Sequence, residues 1–244
     1  MSRFYVPRKN IGKDEIMIDG EEAHHILDVM RLGDGDKVVV FDGTGYEYSG
    51  FIKAADISAK RLIVEVVRTD KPAAREMPEI TLAQAIPKKA KMDYIVEKAT
   101  ELGVSRVVPL ISDRTIIRPD ERGRGKKAER WRKLAVEAAK QCGRADVPEI
   151  GDIVPYKNII FRMDEYDLVL LACLAEDTVV LKEALTGFIS GRIMALIGPE
   201  GDFTAEEIRL ARRDNCRMVS LGRRVLKSDT AGLFMLSALN YNFM

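Results

Sequence analysis

Few residues of this 244-residue chain are of the types that hold metal ions or covalent cross-links. There are three cysteines, Cys142, Cys173 and Cys216, and two histidines, His24 and His25. The cysteines lie far apart, form no CxxC pair and are odd in number, so the pattern predicts neither a disulfide framework nor a zinc site. We therefore expect no metal site in this protein.

Long apolar runs are also missing. No segment approaches the roughly 20 apolar residues that span a bilayer, and the first ten residues lack the apolar core of a secretory signal. These absences predict a cytoplasmic protein without a membrane partner. The composition, 46% hydrophobic and 32% charged, is typical of a folded chain and not of a disordered one.

A strong excess of one charge is absent as well, since the formal net charge is only +1. Residues 113–146 nevertheless carry eleven Lys/Arg against six Asp/Glu. Such a local excess attracts RNA phosphates, although a solvated loop that leads into a charged helix face accounts for it equally well. The composition by itself therefore leaves an RNA partner open.

Two common nucleotide-binding motifs are not present. The chain has no GxxxxGKS/T sequence, and no GxGxxG opens the first helix of a βαβ unit. These motifs supply the glycine-rich loops that hold phosphates in P-loop NTPases and dehydrogenases. Their absence disfavours both classes, and it also disfavours methyltransferases of the Rossmann type.

Hydrophobic patterning predicts two domains. Short β-type runs between Gly and Asp residues fill the first seventy positions, with one helix over residues 21–31 and a hairpin turn at 42–46. This pattern is typical of a small β-barrel and predicts a first domain over 1–72. The segment DKPAAREMP carries two prolines and no periodicity, so the second domain is predicted to span 78–244.

Strands and helices alternate in the second half of the chain. Apolar runs such as ITLAQAI, VVPLI, DLVLLACL and RIMALIG are separated by segments with helical periodicity. This alternation predicts an α/β domain with a mostly parallel sheet, whose ligand site lies at the carboxyl ends of the strands.

Three predicted strand ends carry residues that suit a ligand site. They are LACLAED, residues 171–177, LIGPEGDFTAEE, residues 196–207, and SLGRRVLKSDTAG, residues 220–232. The glycines of the second segment let backbone groups approach a ligand closely, and its Thr204 and Glu207 form a capping box for the next helix. A Gly-rich turn alone is more often just a turn, so the prediction depends on all three segments together.

Several long motifs in the right order resemble one family. GPEGDFTAEEI, LGRRVLKSDTA and MDYIVEKATELGVSRVVPL are similar to motifs of the RsmE family, knotted SPOUT-class methyltransferases that act on uracil N3 in 16S ribosomal RNA. HHILDVMRLGDGDKVVVFDG resembles the PUA-like RNA-binding domain of that family, and RWRKLAVEAAKQCGRADVPEI resembles its middle helix. The likeness covers nearly the whole chain.

The resemblance implies a fold and a function. The fold is an α/β SPOUT domain with a C-terminal trefoil knot, preceded by a PUA-like β-barrel. The function is transfer of a methyl group from S-adenosylmethionine (SAM) to uridine N3 in 16S rRNA, within the assembled small subunit, by a homodimer. Two alternatives stay open here: a noncatalytic RNA-binding or ribosome-assembly protein, and a SPOUT enzyme that acts on another RNA position.

The resemblance also assigns residues to the cofactor. Carried over by motif position, the SAM contacts come largely from backbone groups of the three strand-end loops. The predicted set is Leu174, Leu196, Gly198, Pro199, Glu200, Gly201, Leu221, Gly222, Val225, Leu226, Ser228, Thr230 and Ala231.

The candidate catalytic residues lie beside these loops. Uracil N3 must lose a proton, and nearby positive charge stabilises the resulting anion. Arg224 and Lys227 are candidates for that charge, and Glu200 or Asp229 for the proton acceptor. The sequence does not choose between the two carboxylates, and either could instead accept backbone amides at a loop or helix start.

Candidate RNA contacts are spread over the chain. For His25, packing inside the barrel is favoured, whereas Arg114 is favoured as an RNA contact because it follows a predicted strand. The predicted set is Arg3, His24, His25, Arg31, Arg114, Arg118 and Arg144.

The sequence departs from the family pattern at two places. The common GPEGG reads GPEGD here, with Asp202, and the common LRTETA reads LKSDTA. Arg and Lys are not interchangeable at bidentate sites, so these changes bear on roles that depend on side-chain reach. The closing helix TAGLFMLSALNYNF is apolar around most of its circumference. Burial of this helix against the chain's own sheet is one interpretation, but the resemblance to the SPOUT class favours a two-fold dimer interface that includes Leu236 and Leu239.

Overall fold

The computed structural model describes residues 3–71 and 77–244, which form two compact units. The first unit comprises Met1–Ala74 and Val136–Val147, and the second comprises Arg75–Ala135 and Pro148–Met244. The sequence did not indicate that Val136–Val147 belongs with the first unit. The domain bounds 1–72 and 78–244 stay a prediction, and part of the segment between them lies outside the described residues.

The first unit is built on a five-stranded sheet with the order β1-β3-β4-β5-β2. Strands β1 and β3 are parallel, and the other neighbours are antiparallel. Burial alternates along β2, where Ile16 and Ile18 point into the core. The strands are β1 (Arg3–Tyr5), β2 (Glu15–Asp19), β3 (Lys37–Phe41), β4 (Glu47–Asp56) and β5 (Arg61–Asp70).

The predicted helix of this unit is present in two parts. Helix α1 (Gly20–His24) continues as one π-helical turn over His25–Val29. The ring of His25 packs edge to face against Phe4, with 6.1 Å between the ring centroids. This contact agrees with the favoured packing role for His25.

The second unit contains a fully parallel sheet with the order β11-β13-β10-β12-β6-β7-β8, and β9 also pairs with β7. The parallel α/β prediction is therefore confirmed. Its strands are β6 (Glu79–Ala85), β7 (Arg106–Ile111), β8 (Glu149–Ile150), β9 (Val154–Pro155), β10 (Leu168–Ala172), β11 (Val179–Val180), β12 (Arg192–Ile197) and β13 (Cys216–Ser220).

Helices follow most of these strands, and one of them was not predicted. Helix α4 places Tyr156, Ile159, Ile160 and Met163 in the core, the last from a 3-10 turn directly after the helix. No helix in residues 3–71 and 77–244 has the length and apolar character to cross a membrane. The helices are α2 (Lys91–Glu101), α3 (Glu121–Cys142), α4 (Tyr156–Arg162), α5 (Leu181–Ala184), α6 (Ala205–Ala211) and α7 (Ser228–Phe243).

The closing helix α7 divides its apolar residues between core and surface. It packs against α2, β12 and β6. Leu236 and Leu239 are fully buried, whereas Phe234 is 45% and Tyr241 82% exposed. The favoured placement of Leu236 and Leu239 in a dimer interface is therefore wrong, because both side chains are buried in the core of this chain. Any partner that contacts α7 would meet Phe234 and Tyr241 instead.

This division of α7 predicts effects of very different size for two substitutions on one helix. Leu239→Ala should lower the free energy of unfolding by about 2 to 5 kcal/mol, because it removes buried methyl groups and leaves a cavity. Tyr241→Ala should change it by less than about 0.5 kcal/mol, since the side chain lies on the surface. Denaturant titrations of both variants measure this, and equal effects would contradict the assignment of Leu239 to the core.

Candidate active site

The three strand ends identified in the sequence lie side by side. Strands β13, β10 and β12 are adjacent and parallel, so their carboxyl ends share one edge of the sheet. The segments that follow them enclose one cavity, together with the start of α7. Its lining is Ala172, Cys173, Leu174, Ile197, Gly198, Pro199, Glu200, Asp202, Val219, Ser220, Leu221, Gly222, Arg224, Val225, Leu226, Ser228 and Ala231.

Most of the predicted cofactor residues line this cavity, and three do not. Leu196 is fully buried in the core, and Thr230 faces solvent. Gly201 lies against the side chain of Arg114. The residues that the structure does bring together are Leu174, Gly198, Pro199, Glu200, Leu221, Gly222, Val225, Leu226, Ser228 and Ala231.

The two glycines of the GPEGD loop differ in how closely the protein packs against them. A Cβ added to Gly198 would lie 3.2 Å from the backbone nitrogen of Phe203 and 3.3 Å from the carbonyl carbon of Asp202. A Cβ added to Gly201 would lie 3.4 Å from Cδ of Arg114. The contact at Gly201 is an ordinary van der Waals one, whereas that at Gly198 is tight. That these glycines let a ligand approach closely stays a prediction.

A buried hydrogen-bond chain fixes the loop to the sheet and to α7. Gln84, at the end of β6, is fully buried, and its Nε2 donates to Oγ of Ser228 at 2.9 Å. The hydroxyl of Ser228 donates in turn to the carbonyl of Gly198 at 2.6 Å. Gly232 faces the amide of Gln84, because a Cβ there would lie 2.5 Å from its Oε1. Sequence reasoning missed Gln84, although an amide in the apolar run ITLAQAI was a visible signal.

The two candidate proton acceptors are both hydrogen-bonded. Oε1 of Glu200 accepts from the backbone N–H of Lys88 at 2.9 Å. Oδ1 of Asp229 accepts from Nζ of Lys91 at 2.8 Å. Each carboxylate keeps a second oxygen. Glu200 lines the cavity, whereas Asp229 is not among its lining residues.

Several cations near the cavity are not neutralised. In the part of the chain that the structure describes, the side chains of Lys88, Lys89, Arg223, Arg224 and Lys227 are exposed and have no hydrogen-bond or ion-pair partner. Arg224 belongs to the cavity wall. The approach to the cavity is therefore rich in positive charge that is free to meet an anion.

Cys173 contributes an uncharged wall to the cavity. Burial raises the pKa of its thiol, so the thiolate is disfavoured at neutral pH. A thiol in this state is a poor nucleophile. Across residues 3–71 and 77–244, no group of three or more His, Cys, Asp or Glu side chains is arranged to hold a metal ion.

Comparison with known proteins identifies the family. The pattern of the RNA methyltransferase domain matches residues 75–240, and that of the RNA methyltransferase PUA domain matches residues 18–67. The ribosomal RNA small subunit methyltransferase E of Bacillus subtilis (strain 168) is 32% identical over 232 residues, which cover 92% of this chain and 89% of the relative. The chain belongs to the ribosomal RNA small subunit methyltransferase E family.

A solved member of this family has the same fold. The crystal structure of ribosomal RNA small subunit methyltransferase E from Neisseria gonorrhoeae, bound to S-adenosyl methionine, superposes with a TM-score of 0.86 at 28% identity. The match covers 100% of this chain and 98% of the Neisseria chain. The relative from Synechocystis sp. (strain ATCC 27184 / PCC 6803 / Kazusa) is 27% identical over 98% of this chain and 77% of its own length.

Two of the predicted RNA contacts in this family member are engaged within the methyltransferase unit. Nη1 of Arg114 donates to the carbonyl of Gly201 at 2.6 Å. Nη2 of Arg118 donates to the carbonyl of Asp113 at 2.6 Å and to that of Ser112 at 3.2 Å. Both guanidinium groups thus brace loops at the carboxyl edge of the sheet. Contact with RNA stays a prediction for both.

The predicted RNA contacts of the PUA unit differ in exposure. Arg3 forms an ion pair with Glu47, and Arg144 forms one with Asp146. His24 is largely exposed and bonded to Asp28. Arg31 is exposed, and its φ of 54° is in the left-handed region. These positions leave the RNA-binding role of the unit a prediction, with Arg31 and His24 the most accessible of the set.

The buried hydrogen-bond chain predicts a specific sensitivity at Ser228. Ser228→Ala should lower the free energy of unfolding by about 1 to 3 kcal/mol, because it leaves Nε2 of Gln84 and the carbonyl of Gly198 short of a partner. Ser237→Ala is a matched control on the same helix, since its hydroxyl also donates to a carbonyl, at 2.8 Å, but is exposed. Equal stability of both variants in denaturant titration would show that the chain contributes little.

Proposed function

We propose that this protein transfers a methyl group from SAM to N3 of a uridine in 16S rRNA of the small ribosomal subunit. The proposal depends on one observation above all. Ten of the thirteen residues that motif position assigns to SAM line a single cavity at three adjacent strand ends. The family membership of the chain, and the SAM bound in the Neisseria gonorrhoeae relative, agree with this proposal.

The residues of the cavity fit the chemistry of SAM. Leu174, Val225 and Leu226 offer apolar side chains to a purine ring, while the turns around Gly198 and Gly222 expose backbone groups. Glu200 adds a carboxylate to the wall, which suits a cofactor that carries a positive sulfonium. Predominantly apolar walls with a few placed polar groups are typical of cofactor sites.

Residues of this chain would align the acceptor uracil and remove the proton from its N3. When bound, SAM supplies a methyl group that is already activated for transfer. Arg224 and Lys227 stabilise the negative charge that develops on the uracil ring when N3 loses its proton. Of the two carboxylates, Glu200 is assigned as the proton acceptor, because it lines the cavity and its Oε2 remains available. Asp229 positions Lys91 and the start of α7.

The RNA partner is proposed from the same surface. Lys88, whose N–H donates to the lining residue Glu200, and the exposed Lys89 add to the positive charge of Arg224 and Lys227, which can neutralise phosphates of a structured RNA. The PUA unit adds Arg31 and His24 as accessible contacts. The assembled small subunit is the proposed substrate, as the family resemblance implies.

The proposed assembly is a homodimer with a trefoil knot in each methyltransferase unit. The last strand, β13, lies beyond β10, whereas α7 returns to pack on β12 and β6, which is compatible with a knotted path. The exposed side chains Phe234 and Tyr241 offer an apolar face on α7. An isologous contact would bury this face on both subunits.

The catalytic proposal predicts a product and a selective defect. Incubation of the wild-type protein with SAM and small subunits from a strain that lacks the corresponding gene should yield 3-methyluridine in 16S rRNA. Arg224→Ala should lower turnover by about 10²-fold, since it removes charge stabilisation from the transition state, with little change in SAM affinity. Nucleoside mass spectrometry and calorimetry measure both effects, and Arg209→Ala, an exposed arginine paired with Glu206, is the control.

Three outcomes would contradict this assignment. Failure of the wild-type protein to bind SAM would favour a noncatalytic RNA-binding protein. A methyl group on a ribose hydroxyl or another base would indicate a different RNA position. Loss of SAM binding in Arg224→Ala with normal turnover at saturating SAM would remove Arg224 from the acceptor side of the site.

The dimer proposal predicts that charge on α7 separates the subunits. Phe234→Glu combined with Tyr241→Glu should give folded monomers, because each substitution is introduced twice in a two-fold contact. Phe161→Glu is the control, since Phe161 is 78% exposed on the separate helix α4. Light scattering at micromolar concentration measures the state. A wild-type monomer with full activity, or equal dissociation by the control, would overturn the proposal.

A further inference from the structure

Asp202 occupies a position where the family pattern more often has glycine, and it joins two walls of the cavity. We propose that Asp202 is a positioning residue, which holds the segment after β10 against the GPEGD loop and so sets the affinity for the cofactor. The inference rests on the proposed function, because it names SAM as the ligand whose binding depends on this contact.

Both oxygens of the Asp202 carboxylate accept backbone hydrogen bonds. Oδ2 accepts from the N–H of Leu174 at 2.8 Å, and Oδ1 accepts from the N–H of Phe203 at 2.7 Å. The N–H of Asp202 itself donates to the carbonyl of Pro199 at 3.0 Å, which closes the turn. One side chain therefore bridges two loops that are 28 residues apart in the sequence.

The backbone at Asp202 shows why its side chain matters. Its φ is 61°, in the left-handed region that glycine adopts without strain and that Asp and Asn tolerate better than other residues. Glycine would satisfy the backbone requirement alone. The aspartate in this chain keeps the same turn and adds a carboxylate, and hydrogen bonds to a charged acceptor are stronger than those to a neutral one.

The hydrogen bond from the N–H of Leu174 to Asp202 joins the segment after β10 to the GPEGD loop. Within residues 3–71 and 77–244, no other hydrogen bond joins residues 173–178 to residues 198–203. Asp177, which also lies in the segment after β10, forms a surface ion pair with Arg212. Without the carboxylate of Asp202, the N–H of Leu174 would lose its acceptor in the GPEGD loop.

This hydrogen bond should affect the binding of the cofactor more than the transfer of the methyl group. Leu174 is 66% exposed on the cavity wall, so its side chain is available to a ligand while its N–H is already bonded. When two loops are already positioned, ligand binding does not have to order them. The entropic cost of binding is then smaller, and the affinity is higher. Glu200 lies in the same loop as Asp202, but its Oε1 is held by the N–H of Lys88. Neither Glu200 nor Arg224 bonds to Asp202, so the transfer step should be unaffected.

The test compares the full-length wild-type protein with Asp202→Gly, Asp202→Asn and Asp177→Asn. Asp202→Gly keeps the turn and removes the carboxylate, so the Kd for SAM and the KM for SAM should both rise by about tenfold. Its kcat at saturating SAM should stay within about twofold of the wild type. Asp202→Asn, which tolerates the same φ and keeps one acceptor oxygen, should fall between the two. Asp177→Asn should match the wild type.

Hydrogen exchange supplies a readout that does not depend on SAM. The amide of Leu174 should exchange faster in Asp202→Gly than in the wild type, because its acceptor is gone, while amides of the core strands keep their protection. A folded Asp202→Gly with wild-type Kd, KM and exchange at Leu174 would overturn the inference. A fall in kcat at unchanged KM would also overturn it, since the carboxylate would then act in the reaction. If the wild type itself bound no SAM, the proposed function would fail first, and the inference with it.

Discussion

The site depends on the parallel pairing of β13, β10 and β12. Because all three strands run in one direction, three loops that are separated by up to about fifty residues in the sequence open at one edge of the sheet. The chain of hydrogen bonds from Gln84 through Ser228 to Gly198 then fixes one loop to the neighbouring strand and to α7. The strand order thus creates the cavity, and the buried polar contacts hold its wall in place.

In the described part of the chain, the carboxylates around the cavity are hydrogen-bonded within the protein, whereas several of the cations are not. The carboxylates of Glu200 and Asp229 accept hydrogen bonds from the β6–α2 segment, at the N–H of Lys88 and the Nζ of Lys91. Arg224 and Lys227 have no carboxylate partner among the described residues, and they remain available to an anion. A surface that keeps its cations unpaired beside the cavity suits an anionic polymer as substrate.

The sequence predicted the parallel sheet and the three strand ends, because apolar runs followed by glycine-rich turns are local signals. It missed α4, although Tyr156, Ile159, Ile160 and Met163 follow helical spacing. The roles of Arg114 and Asp202 could not be predicted, since each bonds to a loop distant in the sequence. The sequence also could not show that Leu236 and Leu239 lie in the core. An apolar helix has the same pattern whether its sides are covered by the chain's own core or by a partner subunit.

Hydrogen exchange of the full-length protein with and without SAM tests the central claim, that the three strand-end loops together form the cofactor site. SAM is expected to slow exchange in residues 172–177, 197–203 and 219–228, and to leave exchange in the sheet of the first unit unchanged. Protection confined to another region, such as the cleft beside Arg118 and Phe161, would contradict it. So would SAM binding that left all three loops unprotected.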